Sequence, residues 1–335
     1  MTLISPSEHP FAEYVRVLGR GKKGARPLTF DEARQAMGMI MRDEVEPVQL
    51  GAFLMLLRVK EESAEELAGF TRAVRETLAL PSLPDVQLDW PSYAGKRRHL
   101  PWYVLSALLL SASGIPVLMH GTRGNKDDRI YTEDAVRALG LPICNDFMAA
   151  GKQIESRQFA YIPLQNFAPE LKTILDLRRL FGLRSPINTL LRVLNPSAAP
   201  YLMQSTFHPG YREIHQQAAL LLEHPHMAVF KGEGGEIERD PDKDCDVYSV
   251  HDQTADIETW PALFDNNRHL KDSAMDVNQL LALWQGETED EYGLAAVTGT
   301  AAIALRLLGK ANSPATAQTM AEQLWHKRPT DWLKT

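Results

Sequence analysis

The chain has 335 residues, 44% of them hydrophobic and 24% charged, with a formal net charge of -7. This composition excludes disorder of the whole chain and provides for a sizeable core, and the length suits about two domains. Only two cysteines occur, Cys144 and Cys245, far apart in sequence. A disulfide scaffold and a cysteine-rich zinc site are therefore excluded, and a reducing cytoplasm is expected. The longest apolar run, around Leu105–Leu110, is broken by Ser106, Ser111 and Ser113, too short for a spanning helix. No basic region precedes an apolar stretch at the start, so no signal peptide is expected.

In chain order, residues 10–80 read as helices. Thr29 and Ser63, each with a glutamate three residues on (Glu32, Glu66), form two capping boxes. Ala33, Ala36, Met37, Ile40 and Met41 make one apolar helix face, and Leu67, Phe70, Val74 and Leu78 another. Val48–Leu57 is apolar almost all round and reads as a buried helix. After a boundary at Pro81–Pro84 the pattern changes. Strands are expected at Val86–Trp90, Pro116–Met119, Phe159–Pro163, Met227–Phe230 and Asp246–Val250, with helices at Trp102–Leu110 and Thr132–Leu139. Alternating strands and helices imply an α/β sheet. Residues 168–195 interrupt it with helical text between Pro163 and Pro196. The expected domains are thus 1–80 with 168–195, helical, and 84–167 with 196–335, α/β.

The charges are uneven. Residues 9–28 hold five basic side chains against one acid, residues 92–129 six against two, and residues 232–295 only four against 17 acids. A globally acidic chain can therefore carry a basic face for an anionic ligand. Four stretches carry candidate chemistry. Ser92-Tyr93-Ala94-Gly95-Lys96-Arg97-Arg98-His99 follows a strand, where backbone N–H groups collect anions. With one glycine and three cations it suits phosphate contact by side chains better than by backbone. His120-Gly121-Thr122-Arg123-Gly124-Asn125-Lys126 again ends a strand, where open α/β sheets hold ligands. In Gly182-Leu183-Arg184-Ser185-Pro186, Gly182 ends one helix and Ser185 caps the next, which leaves Arg184 unexplained. The acidic Lys231–Asp240 loop invites magnesium.

These residues resemble a known family. Leu28–Glu46, Gln49–Met55, Arg58 and Glu65–Phe70 look like the N-terminal helical domain of anthranilate phosphoribosyltransferases, members of glycosyltransferase family 3. Gly182–Leu190 resembles their GIRTxxNxLGP segment. The resemblance implies a small helical domain, a larger α/β domain with a central, mainly parallel sheet, a cleft between them and a homodimer formed through the helices. The departures fall at the chemistry. Ser92–Lys96 stands where the family's pyrophosphate-holding GTGGD loop belongs. Met119–Arg123 replaces KHGNR, keeping His120, Gly121 and Arg123. Ile237-Glu238 replaces the magnesium-binding Asp-Glu pair. Gly19–Arg26 resembles a YbiB-like branch of the family, whose members are thought to lack the tryptophan-pathway activity and to bind nucleic acid through a basic groove.

The expected function is therefore a homodimer of phosphoribosyltransferase fold, without anthranilate phosphoribosyltransferase activity, that binds nucleic acid non-specifically in a basic interdomain groove. The ligand would be single-stranded DNA or RNA, with duplex as a further case, and no membrane would be involved. Arg20, Lys22, Lys23, Arg26, Lys96, Arg97, Arg98, His120, Arg123, Lys126, Arg129 and Arg184 are the candidate phosphate contacts, and Tyr93 the candidate for base stacking. No cofactor is required on this reading. The alternative is a transferase that uses phosphoribosyl diphosphate with an altered acceptor, which would need Mg²⁺ at Glu238.

Overall fold

The computed structural model describes residues 8–21, 23–78, 83, 85–124, 128–265, 269, 271, 272 and 274–334. The chain divides into two compact units, one of Met1–Leu80 and Thr173–Leu194, the other of Pro81–Lys172 and Asn195–Thr335.

The first unit begins with four helices, α1 (Ala12–Gly19), α2 (Phe30–Met41), α3 (Pro47–Lys60) and α4 (Ala64–Leu78). Both capping boxes form. The Thr29 hydroxyl accepts from Glu32 N and Ser63 Oγ from Glu66 N, while each glutamate reaches back to the cap's own N–H. The rings of Phe11, Phe53 and Phe70 meet edge to face in the core, with centroids 5.1 and 6.0 Å apart. Helix α3 is not buried all round, as its composition suggests. Phe53, Leu54 and Leu57 point inward, whereas Val48 is 79% and Val59 84% exposed.

The second unit alternates strands and helices. It begins with β1 (Leu88–Ser92), α5 (Tyr103–Ala112), β2 (Val117–Gly121), α6 (Thr132–Ala138), α7 (Phe147–Arg157) and β3 (Phe159–Pro163). Three helices follow, α8 (Pro169–Asp176), α9 (Arg178–Phe181) and α10 (Ile187–Val193), of which α9 and α10 belong to the first unit. Gly182, at a φ of +69°, ends α9. The chain then forms β4 (Tyr201–Thr206), α11 (Tyr211–Leu221), β5 (His226–Lys231), β6 (Cys245–His251), β7 (Thr254–Trp260), α12 (Gln279–Gln285), α13 (Glu291–Leu307) and α14 (Pro314–Lys327).

The seven strands lie in the order β3-β2-β1-β4-β5-β6-β7. β1 to β5 are parallel, and β6 and β7 are antiparallel additions. The expected architecture, a helical bundle and a mainly parallel α/β sheet, is thus present. Helix α5 is buried along almost its whole length and packs with α13 in the main core. Among the described residues no helix is long and apolar enough to cross a membrane.

Candidate functional site

Parallel pairing sets the carboxyl ends of the strands on one edge, since Ser92 registers with Gly121 and Thr206 with Lys231. The turn after β1, the loop after β2 and the loop after β5 all leave from that edge, the ligand side of an open α/β sheet.

The turn after β1 is an anion cradle. Gly95 has a φ of +71°, and a Cβ there would lie 2.7 Å from the Tyr131 ring, so only glycine fits. The resulting bend points two successive N–H groups, of Ala94 and Gly95, at one place, a backbone nest. That place is filled. Glu236 Oε1 accepts from Ala94 N at 2.6 Å and Gly95 N at 2.5 Å, and Ser92 Oγ donates to Oε2 at 2.8 Å. Ser92 is joined in turn to the hydroxyls of Thr132 and Tyr103. Burial first, then the nearby Glu236, holds the Tyr103 phenol well above its usual pKa, so it stays a neutral partner.

The second carboxylate of the segment meets a cation. Glu236-Ile237-Glu238 bends tightly, with Glu238 N donating to Glu236 O; Ile237 sinks into the core and both carboxylates reach residues of the turn and of the start of α5. Glu238 Oε2 accepts from Tyr103 N, at the start of α5, and Oε1 lies 2.5 Å from Lys96 Nζ. Lys96 Nζ also pairs with Glu233. Burial opposes the lysine's charge, but Glu238 and Glu233 outweigh it and hold its pKa above the ordinary value. One ammonium among two carboxylates leaves a surplus negative charge. Burial pushes the Glu238 carboxyl up to about 7 against the pull of Lys96, with Glu233 adding to the rise.

This arrangement corrects several expectations. Lys96 is 0% exposed and committed to two glutamates, so it cannot reach a phosphate. Glu238 is not open to magnesium, because a lysine ammonium already sits against it. Among the described residues no group of three or more His, Cys, Asp or Glu side chains could hold a metal ion. The backbone cradle is not lost with the glycines; it persists and holds an internal carboxylate. Tyr93 is 7% exposed and its hydroxyl bonds His120 Nδ1 at 2.7 Å, so it offers no stacking face. His120 is buried between Tyr93 and Asp89, whose Oδ2 lies 3.1 Å from Nε2. Arg129 is half-buried and donates to the carbonyls of Ala94 and Gly95, clamping the turn.

The remaining candidates divide between the units. In the second unit Arg97, Arg98 and Arg123 are exposed. Arg97 makes only a 4.0 Å approach to Asp128, and Arg123 a 3.6 Å approach to Asp134. In the first unit Arg20 and Lys23 are exposed and Arg184 is half-buried. Arg26, also exposed, is held by Glu32 through two bonds of 2.6 and 2.7 Å, and that pairing first of all draws the Glu32 carboxyl down to about 2. Lys22 and Lys126 lie outside the described residues.

Sequence reasoning missed Glu236 as a site residue, although it lies in the Glu-x-Glu of the acidic Lys231–Asp240 loop. It also missed Phe207, 55% exposed, with His208 beside it, directly after Thr206, whose register partner on β5 is Lys231. The only sequence cue there was an aromatic pair before Pro209-Gly210.

The chain thus combines a helical bundle with an α/β unit whose strand–turn–helix cradle lies at the carboxyl edge of a mainly parallel sheet. Residues 12–78 match the glycosyl transferase family helical bundle domain. The Escherichia coli (strain K12) protein YbiB, uncharacterized, is 30% identical over 207 residues, 60% of this chain. The match spans 64% of that relative, less than two thirds of its length. The crystal structure of anthranilate phosphoribosyltransferase from Thermus thermophilus superposes with a TM-score of 0.76 at 23% identity, covering 98% of this chain and 100% of that one. The Saccharomyces cerevisiae enzyme, solved with phosphoribosyl diphosphate and Mg, gives 0.78 at 17% identity, covering 98% and 96%. The chain thus carries the helical bundle domain of a glycosyl transferase family at residues 12–78 and has the fold of the anthranilate phosphoribosyltransferases.

Proposed function

We propose that this protein is a binding protein on a transferase fold, and that exposed cations at the carboxyl edge of its sheet bind single-stranded nucleic acid by its phosphates. The observation that carries the reading is the inversion at the site. The inner cradle, where a small anion and its metal would sit, is filled by Glu236 and by the Lys96–Glu238 pair, while Arg97, Arg98 and Arg123 are exposed, and among the described residues Arg97 and Arg123 approach their acids no closer than 4.0 and 3.6 Å. Cations without a built pocket suit a backbone of repeated phosphates and carry no sequence code. Phe207, exposed directly after the Thr206–Lys231 pair of β4 and β5, would supply a stacking surface.

The transferase reading requires the phosphoribosyl diphosphate and Mg of the yeast relative. The residues here do not fit them, since the metal-side carboxylate is already paired with a lysine ammonium and the anion-side donors are already taken. A homodimer belongs to the same proposal. Val48, Ala52, Met55 and Val59 form a stripe along α3 at four- and three-residue steps, mostly exposed, which a second copy would cover. Exposed Leu180 and Leu183 flank Phe181, whose ring lies against Gly51 of that helix. A cytoplasmic setting accords with two buried free thiols.

The test is fluorescence anisotropy with single-stranded oligonucleotides across a salt series, beside calorimetry with phosphoribosyl diphosphate and Mg²⁺. Salt-sensitive oligonucleotide binding without binding of the diphosphate is expected. Saturable diphosphate binding that needs Mg²⁺, with no oligonucleotide binding, would overturn the proposal in favour of a transferase.

A further inference from the structure

We propose that Glu236 is a built-in ligand: its carboxylate occupies a complete oxyanion site within the α/β unit, and removing that carboxylate opens the site to a free anion of the phosphate or small-carboxylate class. The inference does not depend on nucleic-acid binding.

The donor set is that of an anion receptor. Two successive N–H groups converge on Oε1, and a hydroxyl donates to Oε2, all within 2.5–2.8 Å. The three donors carry no formal charge, so they stabilise the carboxylate by hydrogen bonding alone. The side chain is fully buried. A buried carboxylate without such donors would be far too costly to retain. The same donors left without it would be unsatisfied polar groups in the interior.

The carboxylate is delivered by its own loop. Gly232 donates to Thr206 O, and a Cβ on Gly232 would lie 1.7 Å from Glu236 O, so the chain turns back on itself in a space only glycine allows. Glu233 N donates to Glu238 O, which closes the loop. Ile237 anchors it in the core, next to the two acids. Tethered this closely, the internal carboxylate has an effective concentration that a dissolved anion cannot match. The adjoining anion-attracting group, the N–H of Tyr103 at the start of α5, is capped from the same segment by Glu238. Two residues of one strand of chain thus close both places where this turn would take an anion.

Chemical rescue tests the proposal on the full chain. Glu236→Ala leaves three donors around a void of carboxylate shape. Its thermal unfolding is followed in sodium acetate, in inorganic phosphate and in chloride at matched ionic strength. The expected result is a lowered Tm that acetate or phosphate raises saturably by roughly 2–4 °C while chloride does not, with no such response in the wild type. A folded Glu236→Ala variant indifferent to both anions, or a wild type that responds equally, would overturn the proposal. Glu236→Gln covers the case in which the alanine variant does not fold. The amide fills the space and keeps one carbonyl acceptor for the two N–H groups but loses the charge that strengthens those bonds, so its Tm falls and neither anion restores it. A glutamine variant as stable as the wild type would show that the donors need no carboxylate and would overturn the proposal too. Oligonucleotide affinity, measured on the glutamine variant, stays at the wild-type value, which separates failure here from failure of the nucleic-acid reading.

Discussion

Lys96, Arg97 and Arg98 are neighbours in sequence and opposites in structure. Lys96 is buried between Glu233 and Glu238, while the two arginines project into solvent. Removing one partner of a buried ion pair strands the other charge and costs about 3–5 kcal/mol, whereas an exposed cation away from special contacts is worth within about 0.5 kcal/mol. Lys96→Met is therefore expected to lose about 3–5 kcal/mol of stability, and Arg97→Ala with Arg98→Ala almost none. Urea denaturation measures both, and equal midpoints for the two variants would refute the assignment. The same cluster sets a pH dependence. An ordinary glutamate titrates near 4.5, but burial raises Glu238 to about 7 in the folded chain. Between those values the folded state holds more protons than the unfolded one, so this group's contribution is complete below the unfolded value and is lost as pH rises through about 7. Glu238→Gln cannot titrate, and its Tm is expected to fall less than the wild type's between about pH 5 and pH 8. Parallel Tm profiles would exclude Glu238 as the titrating group. None of this was legible from the run of three cations, because what separates them is Gly95 and the Arg129 clamp, which turn Lys96 inward and leave its neighbours outside.

At the level of elements, five strands could be read, four of them with apolar text on both faces; the fifth, β6, is buried only at Cys245, Val247 and Val250. β1, β2, β3 and β5 are buried along nearly all their length, as expected of parallel strands under helices. β7 was not readable, since six of its seven residues lie at least partly in solvent and only pairing with β6 makes it a strand. β4 was hidden by Gln204, Ser205 and Thr206, which are buried; Gln204 bonds His215 Nδ1 at 2.5 Å and Ser205 donates to Gly235 O. Helix α13, rich in glycine, alanine and threonine, showed no stripe because nearly every side is buried. Helix α3 misled in the other direction. Its all-round apolar text was read as burial, yet one face is open in the single chain. If a second copy covers that face, Val48→Lys with Val59→Glu converts a dimer to a monomer without unfolding it. Light scattering at micromolar concentration, with circular dichroism as the control, checks this. A wild type that is already monomeric would remove the argument for self-association.

For the whole molecule, a chain of net charge -7 can hold a polyanion only through a local cationic face. Binding of that kind is governed by counterion release, so its signature is the slope of log affinity against log salt, not the affinity at one condition. The candidate face on the α/β unit is Arg97, Arg98 and Arg123, with Phe207 for stacking, and it excludes the buried Lys96, His120 and Tyr93. Replacing the three arginines by alanine is expected to flatten the slope by about 2 units for single strands per protomer engaged, and to weaken binding evenly across sequences. Phe207→Ala acts differently: a lost stack costs about 1–3 kcal/mol per base and leaves the slope unchanged. The two variants therefore move different observables on the same oligonucleotide. An arginine triple variant that is folded, yet retains the wild-type slope, would remove the sheet edge from consideration and direct the search to Arg20 and Lys23 of the helical unit. A loss confined to one sequence would instead point to base readout, which exposed arginines without a supporting pocket do not provide.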